Sequence, residues 1–177
     1  MKVLIVVDAQ NDFISGALGT PEAEAAIPYI AEKVNAADEN TLIIYTRDTH
    51  GANYLDTPEG KKLPIKHCIK DTYGWQIDSR VYKDNCLVLN KRTFGIRNWD
   101  NILNDIYLTS DILEEIELCG FCTDICVISN ALNLQSCFHT EGVPIIVDAK
   151  ACAGVTPERH NAALDVMESC QINVINR

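Results

Sequence analysis

Basic clusters are missing from this sequence. Lys and Arg number 15 against 25 Asp and Glu, giving a net charge of −10, and no basic block occurs anywhere. Phosphate backbones and anionic membrane surfaces are held by clustered cations, so neither nucleic acid nor a membrane is expected as a partner. Long apolar runs are missing too, and none approaches the roughly 20 residues that cross a bilayer. Met1-Lys2 is followed by only five apolar residues before Asp8, too few for a secretory segment, and no cleavage motif follows. A cytoplasmic location is expected. Repeats, low-complexity tracts and linkers are also absent, so the 177 residues suit one domain spanning 1–177. Hydrophobic residues make up 47%, enough for a sizeable core. The eight cysteines are spread through segments that read as strands and helices, as reduced core residues would be.

Short β-rich runs alternate with longer helical stretches, which predicts a three-layer α/β/α fold around a mostly parallel sheet of about six strands. The expected strands are Val3–Val7, Leu42–Thr46, Cys86–Leu89, Glu115–Cys119, Pro144–Val147 and Ile172–Ile175. The first two are near-continuous apolar runs, the mark of strands buried on both faces. Helices are expected over Pro21–Ala37, Trp99–Leu108, Thr123–His139 and Pro157–Cys170, the last opened by Thr156-Pro157-Glu158. Gly51–Ser79 shows no clear element, and a loop that long is usually functional.

Polar chemistry collects after the strands. Asp8 follows the first, Asp48 and His50 the second, Lys91 the third and Cys122 to Cys126 the fourth. Sites in open parallel sheets form at that carboxyl edge. Cys126, placed in the first turn of a helix, would face unpaired N–H groups and the positive dipole end, both favouring thiolate. Asp8 suits a base for that thiol, and Lys91 a cation that holds both. Each of these residues is also common alone, as a turn cap, a strand-end cation or a buried thiol. The turn at Gly120 offers the backbone N–H groups of Cys122 and Cys126 as oxyanion donors, while Thr123 or Asp124 could simply cap the helix. Asp48 and His50 alternate, so both point to one side of extended chain, and His67 arrives from the long loop. One carboxylate and two imidazoles suit zinc, iron or manganese with open positions. Cys119 and Cys122 have the spacing of a zinc or redox pair, which leaves a binding or redox-sensing module as the reading of another class.

Four segments, in order, resemble the isochorismatase-like cysteine hydrolase superfamily and, within it, the nicotinamidases. These are Asp8-Ala9-Gln10-Asn11-Asp12-Phe13, Asp48-Thr49-His50 with Pro64-Ile65-Lys66-His67-Cys68, Lys91 in Asn90-Lys91-Arg92, and Gly120-Phe121-Cys122-Thr123-Asp124-Ile125-Cys126-Val127. The resemblance implies Asp8, Lys91 and Cys126 as the catalytic residues and Asp48, His50 and His67 as ligands of a divalent metal, zinc before iron or manganese. It implies no organic cofactor. It also implies a cis peptide at Phe121–Cys122, a small amide as substrate, hydrolysed through a thioester, and a homo-oligomer. Gln10, Phe13, Leu63 and Ile125 are the substrate-pocket candidates. Nicotinamidases usually carry a Trp shortly before the metal-binding His, where this chain has Leu63-Pro64-Ile65-Lys66. A hydrolase of another small amide, ureido or carbamoyl compound is the alternative on the same machinery. The resemblance supplies no convincing fourth metal ligand, with Tyr54 and Asp56 standing nearest.

Overall fold

A computed structural model describes residues 1–107 and 112–177. Its strands are β1 (Lys2–Val7), β2 (Thr41–Asp48), β3 (Leu87–Lys91), β4 (Glu115–Phe121), β5 (Ile145–Ala153) and β6 (Asn173–Ile175). The helices are α1 (Asn11–Ile14), α2 (Pro21–Ala36), α3 (Pro58–Lys62), α4 (Trp99–Tyr107), α5 (Ile128–Phe138) and α6 (Pro157–Ser169). All strand pairs are parallel, in the order β3-β2-β1-β4-β5-β6. Strand order therefore reverses between β1 and β4, the switch point where α/β sheets open a crevice. Right-handed crossovers on the two sides of that point put α2 on one face and α4, α5 and α6 on the other. The central strand β1 is sealed from both sides, and Val3 through Val7 are all buried. None of the helices is long and apolar enough to cross a membrane among the described residues.

Three helices start on the same tripeptide for the same reason. Thr20, Thr57 and Thr156 each accept a backbone N–H three residues on, from Ala23, Gly60 and Arg159, and each is followed by a proline and a glutamate. The hydroxyl satisfies an orphan donor, proline presets φ where no N–H is needed, and the carboxylate suits the positive end of the helix. The start at Thr57 lies inside Gly51–Ser79, where no element was expected. That stretch holds a 3₁₀ turn at Tyr54–Asp56 as well as α3.

The strands run further toward their carboxyl ends than the apolar runs suggest. Asp48 and Lys91 are the last residues of β2 and β3 rather than residues beyond them. Strand β4 continues to Phe121, and β5 continues past a register shift to Ala153. The expected helix from Thr123 divides into a π turn at Thr123–Val127 and then α5. Such π turns often carry functional residues. Leu108, the expected end of α4, lies outside the described residues.

Two backbone positions shape the edge. Asp8 has φ 47°, a left-handed conformation rare for a residue with a side chain, and it turns the chain sharply out of β1. Its N–H is held by Thr46, through the carbonyl at 3.1 Å and Oγ1 at 3.2 Å. Gly120 has φ 117°, and a Cβ there would sit 2.0 Å from the Val7 carbonyl oxygen. The next peptide bond but one, Phe121–Cys122, is cis.

Gly120→Ala should therefore lower stability by about 3 kcal/mol, or roughly 6–12 °C in Tm. Thermal unfolding checks this, and an unchanged Tm would show that β1 and β4 can part at that contact without cost.

Candidate active site

The turns after β1 and β4 and the end of β3 bring an acid, a thiol and an amine together. Lys91 Nζ lies 2.6 Å from Asp8 Oδ2 and 3.4 Å from Cys126 Sγ. All three side chains are buried, Asp8 at 0%, Lys91 at 5% and Cys126 at 5% exposure. Asp8 is anchored on its other oxygen, where Oδ1 accepts from Thr46 Oγ1 at 2.7 Å. Oδ2 faces the Lys91 Nζ at 2.6 Å and accepts no well-directed hydrogen bond among the described residues.

The electrostatics correct one expectation. Cys126 is the fourth residue of the π turn, and its burial pushes the thiol well above its usual value. The Asp8 charge pushes the same way, and Lys91 opposes without prevailing. A helix terminus therefore does not make this sulfur a standing thiolate. Burial also raises the Asp8 carboxyl, against the attraction of Lys91. For Lys91, burial works against the charge, yet Asp8 and Cys126 outweigh it and hold the ammonium protonated. The site sets the Asp8–Lys91 contact beside the Cys126 thiol. It is poised for a proton to pass from sulfur to Asp8, leaving the thiolate next to the lysine.

Thr123 and Asp124 do not cap a helix with their side chains. Thr123 Oγ1 is 2.8 Å from His160 Nδ1 on α6, and Asp124 Oδ1 accepts the Val155 N–H at 2.9 Å. Both tie the cysteine turn to the start of α6. The Cys122 N–H, outside any helix or strand, donates to no acceptor among the described residues. Asn130, fully buried on α5, fastens the turn from the other side. Its Oδ1 accepts from the Ile96 N–H and Trp99 Nε1, each at 3.0 Å. Its Nδ2 donates to the carbonyls of Cys126 at 2.8 Å and Phe94 at 3.3 Å. Nothing in the sequence pattern singled out Asn130, because a lone Asn within a helical run carries no spacing signal.

Beside this triad, Asp48, His50 and His67 converge, and Glu59 of α3 joins them. The four ligand atoms all lie within 4.8 Å of one another. His67 donates from Nδ1 to the Ile65 carbonyl at 2.8 Å, which leaves Nε2 bare toward the cluster. His50 Nε2 is buried 2.8 Å from Asp48 Oδ2, yet it makes no well-directed hydrogen bond among the described residues. Burial tends to raise the Asp48 carboxyl, but the adjacent His50 ring and the Lys91 charge outweigh it and hold it below the usual range. Two imidazole nitrogens and two carboxylates aimed at one point, one of them a buried orphan, fit a divalent metal. Tyr54 is no ligand; its ring packs against both imidazoles and its hydroxyl donates to the Leu63 carbonyl. Asp56 is exposed and outside the cluster. Glu59 was the missed ligand candidate, and the Thr57-Pro58-Glu59 helix start was the signal that could have found it.

A cavity of about 600 Å³ lies over Cys126 and reaches Asp48, Glu59 and His67. Phe13, Leu63 and Ile125 line it, together with Phe94, Phe121 and Val155. Gln10 does not. It is fully buried behind the wall, where Nε2 donates to the carbonyls of Asp48 and Trp75 and Oε1 accepts the Asp48 N–H at 2.7 Å. One side-chain amide can satisfy both backbone groups of Asp48, and that fixes the metal-ligand candidate from behind. Phe13 stands on α1, with its ring 5.7 Å from that of His67. The Cys119 and Cys122 pair finds no support. Cys119 is fully buried in β4, burial pushes its thiol well up, and neither residue belongs to the metal cluster.

The Isochorismatase domain model matches residues 2–177, and the chain belongs to that family. Among curated proteins it is 26% identical to a nicotinamidase of Saccharomyces cerevisiae, with 100% of each chain covered. It is 28% identical to a nicotinamidase/pyrazinamidase of Mycobacterium tuberculosis over 99% of this chain and 98% of the other. Among solved structures, a pyrazinamidase of Pyrococcus horikoshii in complex with zinc superposes with a TM-score of 0.80. The identity is 27%, and 99% of each chain is covered.

Asp48→Ala, Glu59→Ala and His67→Ala should each lower bound divalent metal by at least about tenfold in affinity. Elemental analysis after dialysis against defined free zinc reads this directly. Undiminished metal in all three variants would refute the cluster as a metal site.

Proposed function

We propose that this protein is a metal-dependent cysteine amidohydrolase that converts nicotinamide and water to nicotinate and ammonia. The observation that carries the reading is the buried contact of Asp8, Lys91 and Cys126 at the wall of a cavity whose floor holds the Asp48, His50, Glu59 and His67 cluster. The nicotinamidase and pyrazinamidase relatives support the substrate class, and the zinc-containing structure supports zinc as the metal.

Asp8 removes the proton from Cys126, and Lys91 stabilises the sulfur anion as the charge moves. The thiolate attacks the amide carbon, and the backbone N–H groups of Cys122 and Cys126 receive the developing oxyanion. The carbon–nitrogen bond breaks as protonated Asp8 gives its proton to the departing nitrogen, and ammonia leaves a thioester on Cys126. Asp8, ionised again, takes a proton from water, whose oxygen attacks the thioester carbon. The acid departs, and the proton returns to the sulfur. Phe13 and Phe121 offer apolar walls for a flat ring. A metal held by Asp48, His50, Glu59 and His67 would supply a Lewis acid for the ring nitrogen of the substrate.

Cys126→Ala should lower ammonia release by at least about 10⁴-fold, the scale on which loss of a nucleophile is felt. Turnover retained within tenfold would remove the cysteine from the chemistry.

The pH dependence follows from the ionisation of Asp8. Its carboxyl is raised above the usual 3.8, and the base must be ionised to act, so activity falls as pH drops through that raised value. Burial pushes the Cys126 thiol well above its usual value, so no rising limb in the ordinary thiol range should belong to thiolate formation. Profiles of kcat/KM between about pH 4 and 9 test this, and a rate that climbs through the ordinary thiol range would contradict it.

A further inference from the structure

The cavity is larger than a single-ring carboxamide needs. At about 600 Å³ it lies within the roughly 300–1,000 Å³ that holds drug-sized ligands. Its extent follows from the strand order. The metal cluster sits at the end of β2, Cys126 follows β4, and Gly154, Val155 and Arg159 follow β5. Strands β2 and β5 are three spacings apart, about 14 Å. The nucleophile therefore stands between the metal side and a second side that the proposed reaction leaves empty. A shallow groove of about 400 Å³ shares Ile125 and Arg159 with the cavity, is also lined by Asp124, and continues between α5 and α6 past Ile128 and Val166. Val155 and Val166 are 41% and 47% exposed there.

Arg159 gives that far side its charge. Arg80 and Arg177 are held by carboxylates, and Arg47 by Asn90 and the Trp75 ring. The guanidiniums of Arg92, Arg97 and Arg159 make no ion pair or side-chain hydrogen bond among the described residues; Arg92 and Arg159 line the cavity, and of these Arg159 alone also lines the groove, in a chain whose net charge is −10.

We infer that the side of the cavity beyond Cys126 is a leaving-group subsite, shaped for an N-substituted amide whose amine carries an apolar arm and a carboxylate. The inference rests on the amidohydrolase reading, because an acyl ring turned toward the metal cluster directs the amide nitrogen toward β5. Val155, Ile128 and Val166 would cover the arm, and Arg159 would meet the carboxylate. The chemistry balances as for the simple amide. The sulfur–carbon bond forms, the carbon–nitrogen bond breaks, and Asp8 passes the Cys126 proton to the nitrogen, which leaves as an amino acid. Water then cleaves the thioester.

The test compares nicotinamide, N-nicotinoylleucine and the methyl ester of N-nicotinoylleucine on the metal-loaded protein. The free acid should be hydrolysed with a kcat/KM about tenfold above its ester, an advantage that shrinks with added salt. Arg159→Gln should bring the acid-to-ester ratio close to one, with the ester measured on the same preparation as the reference for folding. Turnover of nicotinamide with neither leucine derivative cleaved would overturn the inference and leave the amidohydrolase reading intact. A failure to cleave any of the three would overturn the amidohydrolase reading itself. An unchanged acid-to-ester ratio in Arg159→Gln would also overturn the inference. So would dissociation of an oligomer by Val166→Arg with the substrate ranking intact, since the groove would then be a subunit contact.

Discussion

A buried lysine is tolerable here only because a carboxylate lies 2.6 Å away. Removing either partner leaves an uncompensated charge in the interior, which costs about 3–5 kcal/mol, so the pair fixes the packing around it. The pair in turn decides the state of the sulfur. Cys126 is 5% exposed at the cavity wall, and burial pushes its thiol well above the usual value beside the Asp8 carboxyl that is to take its proton. A thiolate made only when needed, beside a waiting cation, resists oxidation better than one standing exposed.

The sheet supplies the precision that this arrangement requires. The end of β3 carries Lys91, the sharp turn after β1 carries Asp8, and the π turn after β4 carries Cys126. Each turn is pinned from behind. Thr46 holds Asp8, Asn130 holds the carbonyl of Cys126, and Gln10 holds both backbone groups of Asp48. These buried polar side chains are fully occupied by partners, so they specify geometry without leaving an unsatisfied group. The metal cluster and the triad are then neighbours along one edge, since β1 lies between β2 and β4.

How much of this was legible in the sequence depended on the length of each signal. The buried runs of β1 and β2 announced themselves, and the order of motifs named Asp8, Lys91 and Cys126, which meet in the structure, and three metal-ligand candidates. Strand ends were read short because Asp48 and Lys91 are polar, although both still pair in the sheet. Helix α3 is only five residues long and has no apolar stripe to read, so Glu59 was missed despite the start signal shared with α2 and α6. Gln10 was misplaced in the pocket because a motif gives proximity, not direction. Asn130 was invisible because its four partners come from two separate stretches of chain, Phe94 to Trp99 and the turn at Cys126. The state of the thiol was misjudged for a related reason: helix position is local, whereas desolvation comes from the whole fold.

The central claim is a covalent bond between the acyl group and Cys126, formed through the proton held by Asp8. Rapid acid quenching during nicotinamide turnover, followed by peptide mass spectrometry, tests it most directly. A nicotinoyl thioester on the peptide bearing Cys126, absent when Asp8 is replaced by Asn, is the expected result. Acylation at Cys122 instead, or full turnover with no acyl-enzyme trapped on any cysteine, would contradict it.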